Sequence, residues 1–217
     1  MIITLDGPAG SGKSTVAKKL AERLGFAFLD TGSMYRAVAA WCLRQNIPLD
    51  DEASIGKLAE LMTIEFAGER IFVNRTDLTE DLRTTAVTIA ASRIAVIPTV
   101  REALVRLQRE TADGKDIVTE GRDQGTVAFP NAQCKFFVTA TPEERARRRL
   151  RELLDQGEAA EFDDVLEQIR ERDERDATRE VAPLQPAPDA IIVDTTSLEF
   201  EEVLDRLEQA VRRRQAL

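Results

Sequence analysis

The 217-residue sequence contains no histidine. That removes Ser–His–Asp and Cys–His catalysis and every His-ligated metal site. What remains is chemistry that works by placing charges and needs no general base near neutral pH, as phosphoryl transfer does. Cysteine is scarce too. Cys42 and Cys134 stand far apart, without metal-ligand spacing and in apolar surroundings. They read as buried free thiols, and a reducing, cytoplasmic compartment is implied. Positive charge is in deficit, with 30 Lys and Arg against 39 Asp and Glu, a net charge of −9. That sign argues against broad nucleic-acid binding. No apolar run approaches the ~18–20 residues of a membrane span. The chain starts as a strand and a glycine loop, which reads as folded domain rather than signal peptide. An apolar fraction of 43% is nevertheless enough for a core.

Against these absences stands one dense motif. Ile2-Ile3-Thr4-Leu5-Asp6 is a short β-prone run, and Gly7-Pro8-Ala9-Gly10-Ser11-Gly12-Lys13-Ser14 follows it. The string satisfies Gly-x-x-x-x-Gly-Lys-Ser/Thr. From Thr15 on, Val16, Ala17, Leu20, Ala21 and Leu24 recur at helical spacing. Strand, glycine loop and helix are the context in which this motif binds phosphate. Glycines let backbone N–H groups turn toward phosphate oxygens, and a helix N-terminus adds its positive dipole end. Lys13 supplies a charge toward the β/γ-phosphates, and the Ser14 hydroxyl suits a magnesium ion. ATP and Mg²⁺ are the implied ligands.

The rest of the chain alternates strand and helix signals. Strand candidates lie near 2–6, 26–29, 116–119, 134–138 and 190–193. Interleaved helices make this an α/β fold, a five-stranded parallel sheet with helices on both faces. Asp30 and Thr31 read as caps of a helix over Ala37–Gln45, which puts Arg36 in its first turn. The macrodipole disfavours a cation there, so Arg36 reads as serving an anionic ligand. The stretch of about 51–84 alternates like a hairpin near 63–73 and reads as a small inserted subdomain. Gly121-Arg122-Asp123-Gln124-Gly125-Thr126 follows a strand at its C-terminal end, where open sheets bind ligands. Thr141-Pro142-Glu143-Glu144 starts a helix that runs to about Gln156 and carries Arg145, Arg147, Arg148, Arg149 and Arg151. With the helix over Asp163–Asp176 it reads as a lid, about 145–179, whose arginines face a transferring phosphoryl group. The closing helix is expected from Ser197.

Taken with Leu29-Asp30-Thr31-Gly32-Ser33-Met34-Tyr35-Arg36, Val100-Arg101-Glu102-Ala103-Leu104, Glu120 to Val127 and Arg172 to Arg179, the glycine loop resembles the bacterial cytidylate kinases over nearly the whole chain. The resemblance implies a monomeric nucleoside monophosphate kinase of pyrimidine metabolism that phosphorylates CMP and dCMP with ATP and Mg²⁺. It implies one domain over 1–217, with 51–84 as the CMP-binding insertion and 145–179 as the lid. Gly7 to Thr15 would hold ATP. Ser92, Arg101 and Asp123 look like cytosine readers, with Arg179 near the base. Arg172 and Asp176 look like the ribose clamp. Thr31 joins the substrate site, and Arg36 and Arg122 look like ligands of the CMP phosphate. Lys13, Arg122, Arg172 and Arg148 are the implied catalytic residues. The chemistry agrees: Asp123 and Ser92 can accept from the cytosine amino group, and arginine can donate to N3 and O2. Thr31, Glu120 and Gln124 depart from the family's usual residues, but none removes a needed group.

Two rival functions remain open from the sequence. Another small-molecule P-loop kinase, preferring UMP or AMP, shares the loop. A GTPase-like switch would need an Asn/Thr-Lys-x-Asp string, and the nearest, Asn74-Arg75-Thr76-Asp77, lacks the lysine.

Overall fold

The computed structural model describes residues 1–68, 70–155 and 157–216. The elements run β1 (Ile2–Asp6), α1 (Lys13–Leu24), β2 (Ala27–Asp30), α2 (Thr31–Arg44), α3 (Glu52–Leu61), β3 (Ile64–Ala67), β4 (Arg70–Val73), β5 (Thr76–Asp77), a 3₁₀ turn (Asp81–Arg83), α4 (Thr85–Ile94), α5 (Pro98–Ala112), β6 (Ile117–Gly121), one turn of π-helix (Gln124–Ala128), β7 (Cys134–Thr139), α6 (Pro142–Asp155), α7 (Phe162–Thr178), β8 (Ile191–Asp194) and α8 (Phe200–Gln215). They fall into two compact units, Met1–Leu29 with Ala112–Leu217, and Asp30–Thr111. The second contains the 51–84 stretch and extends well beyond it on both sides.

The first unit is built on a five-stranded parallel sheet in the order β2-β6-β1-β7-β8, flanked by helices. This is the α/β architecture read from the sequence. β1 lies at the centre. Ile3 stands opposite Val118 of β6 and Leu5 opposite Phe136 of β7. Strands buried on both faces read as unbroken apolar runs, which is why these were legible. Ile3, Leu5, Val118, Phe136, Val138 and Val193 pack with Val16, Ala17 and Leu20 of α1 and Val203, Leu204, Leu207 and Val211 of α8. The α8 start differs from expectation. Its N-cap is Glu199, which forms a reciprocal capping box with Glu202, so the helix opens after Ser197.

Helices α6 and α7 share a small apolar core of Ala146, Val165 and Ile169, backed by Leu150, Leu153, Phe162 and Leu166. Thr141 caps α6 by accepting from the Glu144 N–H at 3.3 Å, with Pro142 as the first helical residue. The helix runs to Asp155; Gln156, its expected end, lies outside the described residues.

In the second unit, β3, β4 and β5 form an antiparallel sheet. The β5 strand adds a third strand beyond the hairpin expected near 63–73. Asn74 and Arg75 both adopt positive φ, 48° and 66°, and so turn the chain tightly enough for Val73 to face Thr76. Helix α2 also starts earlier than expected, at Thr31, because the Asp30 carboxylate accepts from the Ser33 N–H at 2.9 Å. Arg36 therefore sits in the second turn, and the first-turn dipole argument for it does not hold.

Candidate active site

The glycine loop leaves β1 at Gly7, whose φ is +151°. A Cβ there would stand 2.0 Å from the Val138 carbonyl oxygen, so only glycine lets the loop clear β7. Gly10 and Gly12 take φ of 75° and 82°, and Gly12 is the N-cap of α1. Lys13, Ser14 and Thr15 form the first turn of that helix, with Ser14 and Thr15 exposed. Lys13 is buried. Its Nζ donates to the Pro8 carbonyl at 3.3 Å and lies 3.6 Å from the Glu120 carboxylate. Burial and then the Arg122 charge pull its pKa down, against the opposing pull of Glu120.

Beside the loop, the segment after β6 carries the acidic and basic pair read from the sequence. Arg122 donates through Nε to Asp176 of α7 at 2.8 Å and through a terminal nitrogen to the Gly121 carbonyl at 3.2 Å. Burial works to raise the Asp176 pKa, but Arg122, Arg172 and Arg179 outweigh it and hold the carboxyl below its usual range. Asp123 is buried, with an Arg179 terminal nitrogen 3.9 Å from its Oδ1. Arg179 also donates from Nε to the Ala182 carbonyl at 2.6 Å. Lys13, Arg122, Asp123, Arg172, Asp176 and Arg179 thus form one linked group of charges in the first unit.

Of the five α6 arginines, Arg145 and Arg148 reach the glycine loop, whereas Arg147 and Arg151 are exposed. Arg145 is 3% exposed and donates from Nε to the Ala140 carbonyl at 2.9 Å and from a terminal nitrogen to the Ala9 carbonyl at 3.1 Å. Arg148 is engaged by Glu144 at 3.1 Å and by the Thr195 hydroxyl and carbonyl at 3.0 and 2.7 Å, and it reaches the Ser11 carbonyl at 3.5 Å. Arg149 pairs locally with Glu152 at 3.1 Å.

The remaining candidates belong to the second unit. Thr31 is buried at the start of α2, and Arg36 donates to the Asp30 carboxylate at 3.0 Å and the Ser33 hydroxyl at 2.6 Å. Ser92 lies half-buried on α4. Arg101 of α5 is buried, donates to the Ala95 carbonyl at 3.2 Å, and stands 6.0 Å from the centroid of the Tyr35 ring.

The cytidylate kinase family model matches residues 3–213. The chain belongs to the cytidylate kinase family. It is 49% identical over 211 residues to the cytidylate kinase of Caldanaerobacter subterraneus subsp. tengcongensis, covering 97% of this chain and 94% of that one. With the cytidylate kinase of Carboxydothermus hydrogenoformans it shares 46% identity, covering 99% and 98%. Among solved structures, a gluconokinase from Sinorhizobium meliloti matches with a TM-score of 0.51 at 17% identity, covering 97% of this chain and 91% of that one. A shikimate kinase from Bacteroides thetaiotaomicron matches with a TM-score of 0.50 at 18% identity, covering 98% of both chains. At such identity these two speak for the fold alone.

Sequence reasoning about this cytidylate kinase family member passed over Asp6 and read Arg145 only as one of several lid arginines. Asp6 closes an apolar strand, and a carboxylate there is an outlier that could have drawn notice. Arg145 carried no separate signal among its neighbouring arginines.

Proposed function

We propose that the protein transfers the γ-phosphoryl of ATP to CMP or dCMP, giving CDP or dCDP and ADP. The observation that carries this reading is the linked charge group: a buried P-loop lysine beside Arg122, Asp123 and Asp176 in a chain of the cytidylate kinase family. The glycine loop fits a triphosphate, since Gly7, Gly10 and Gly12 adopt positive φ and α1 begins at Lys13. Among the described residues no group of three or more His, Cys, Asp or Glu could hold a metal ion. Magnesium would be held by the exposed Ser14 hydroxyl together with nucleotide phosphates, where it would neutralise charge on the β/γ oxygens.

An oxygen of the CMP phosphate attacks the γ-phosphorus in line, and the bond to the ADP oxygen breaks. A phosphate nucleophile is already ionised at pH 7 and needs no base, in keeping with the absence of histidine. Lys13, Arg122, Arg172 and Arg148 hold the charge that spreads over the transferring group. Arg36 and Arg122 bind the CMP phosphate, where a guanidinium fork matches its oxygens. Thr31 adds a hydroxyl. Ser92, Arg101, Asp123 and Arg179 read cytosine, and Arg172 with Asp176 holds the ribose. The 51–84 segment serves CMP, α6 and α7 close over the reaction as a lid, and the protein acts as a monomer. Among the described residues no helix is long and apolar enough to cross a membrane.

A coupled ADP-release assay with CMP, dCMP, UMP and AMP tests the reading. CMP and dCMP should be the preferred acceptors. A kcat/KM for UMP or AMP equal to that for CMP would overturn it.

A further inference from the structure

Asp6 ends β1 and immediately precedes Gly7, the first glycine of the phosphate loop. Its side chain is buried at 3% exposure and reaches the turn that follows β6. Oδ1 accepts from the Gln124 N–H at 2.8 Å, and Oδ2 accepts from the Gly125 N–H at 2.7 Å. These are the N–H groups of the two residues directly after Asp123. The Asp123 carbonyl is held from the other direction, accepting from the N–H groups of Val127 at 2.8 Å and Ala128 at 3.2 Å. Asp123 itself adopts φ −147° and ψ 25°, outside the helical and strand wells.

The contact is close as well as bonded. A Cβ on Gly125 would stand 3.0 Å from the Thr4 hydroxyl, 3.2 Å from Lys135 Cδ and 3.4 Å from Asp6 Oδ2. The π-turn is therefore pressed onto β1 at the point where the phosphate loop departs. Such turns mark functional sites more often than plain helix does. The carboxylate is needed as such, because two adjacent N–H groups require two acceptor oxygens on one side chain. Asparagine offers one oxygen and would turn its NH₂ toward the second N–H. An ionised carboxylate is costly to bury, and burial pushes the Asp6 pKa up to about 6 despite both N–H donors. That expense at a position beside the active residues points to a use other than packing.

We propose that Asp6 is a positioning residue for recognition of the acceptor base: it holds the Arg122–Asp123 turn in place from the root of the phosphate loop. The proposal rests on the reading of Asp123 as a cytosine reader. Asp6 touches neither nucleotide in this scheme. It acts by fixing where the Asp123 carboxylate points.

The test is steady-state kinetics of Asp6→Asn, Gly125→Ala and Asp123→Asn with CMP and UMP at saturating ATP, with melting temperature measured alongside. Loss of one charge-assisted bond should lower kcat/KM for CMP by about tenfold or more in Asp6→Asn. The CMP-to-UMP preference should fall with it, while KM for ATP stays near the wild-type value. Gly125→Ala lifts the same turn by its Cβ and should show the same loss of preference, which keeps the test alive if Asp6→Asn does not fold. If Asp123→Asn loses the preference while the folded Asp6 and Gly125 variants keep it, the positioning role is overturned. If Asp123→Asn itself keeps the preference, the cytosine-reading role of Asp123 is what fails.

Discussion

Arg145 of α6 grips Asp173 of α7 with both terminal nitrogens, at 2.9 and 2.6 Å, while one of those nitrogens also donates to the Ala9 carbonyl of the glycine loop. Asp173 adjoins Arg172 and sits one turn before Asp176 on the same helix. A single guanidinium thus connects the phosphate loop with the helix bearing the proposed ribose clamp. A planar fork can do this and an ammonium cannot. Arg145→Lys should therefore lose the bidentate pair, lowering stability by about 1–3 kcal/mol and raising KM for both ATP and CMP. Urea unfolding and two-substrate kinetics check it. An effect on ATP alone would deny the link to α7.

Lys13 is predicted to act on the transition state more than on CMP binding. Its Nζ is withheld from solvent by the loop, 3.6 Å from Glu120. Lys13→Met should reduce kcat by about 10²–10³-fold, the range seen when one preorganised charge donor is removed. KM for CMP should change little. Single-turnover measurements of the transfer step separate this from slower product release.

Asp176 ties stability to pH. Its carboxyl is held below the ordinary value of 3.8, because Arg122, Arg172 and Arg179 outweigh the effect of burial. A depressed carboxylate pKa means the stabilisation is present above the unfolded-state value and is lost as pH falls through the folded-state value. Asp176→Asn should therefore be less stable than the wild type at pH 7, by about 1–3 kcal/mol for a broken ion-paired hydrogen bond. The gap should begin to close below about pH 4, the unfolded-state value, and shrink further as pH falls through the lower folded-state value. Denaturant melts at pH 7 and pH 3 show whether it does.

Much of the architecture was readable because its signals are local. The central strands are short apolar runs between turn residues, and the glycine loop announces itself within a few positions. Elements went unread where the signal depended on residues far away or on an unusual choice. The turn before β5 uses Asn74-Arg75 in place of a glycine-bearing pair, so the third strand left no mark. Thr31-Gly32-Ser33 looks like loop, yet the Asp30 cap draws it into α2. The site divides in the same way. Residue types suited to phosphate and cytosine could be picked out singly. The Arg145–Ala9 bond spans 136 positions and the Asp6–Gln124 bond 118, and no periodicity encodes such pairings.

Gly7 should tolerate no side chain at all. Its φ of +151° disfavours an L-residue, and an added Cβ would lie 2.0 Å from the Val138 carbonyl oxygen, a backbone atom of a buried central strand. Neither the strand nor the loop can yield without disturbing the other. Gly7→Ala is expected to cost more than about 2 kcal/mol, at the upper end of overpacking effects, and to weaken ATP binding. Gly25 makes a suitable control: it shares a positive φ of 70° but has nothing within 4 Å of an added Cβ. Thermal melts of the two alanine variants should show the larger loss at Gly7.

Arg101 provides the sharpest test in the second unit. It is 4% exposed, donates to the Ala95 carbonyl at 3.2 Å and lies over the Tyr35 ring. Its guanidinium presents N–H donors in a planar fork suited to two adjacent acceptors. As a reader of N3 and O2 it should be needed for the acceptor and not for the donor. Arg101→Ala should lower kcat/KM for CMP by about 10²-fold, the effect of leaving a charged hydrogen-bonding site unfilled, with KM for ATP nearly unchanged. A retained kcat/KM for CMP within a few-fold would remove it from the base-reading set. Thermal melts of the same variant separate this from a general loss of fold, since a structural role alone would lower the melting temperature without favouring one nucleotide over the other.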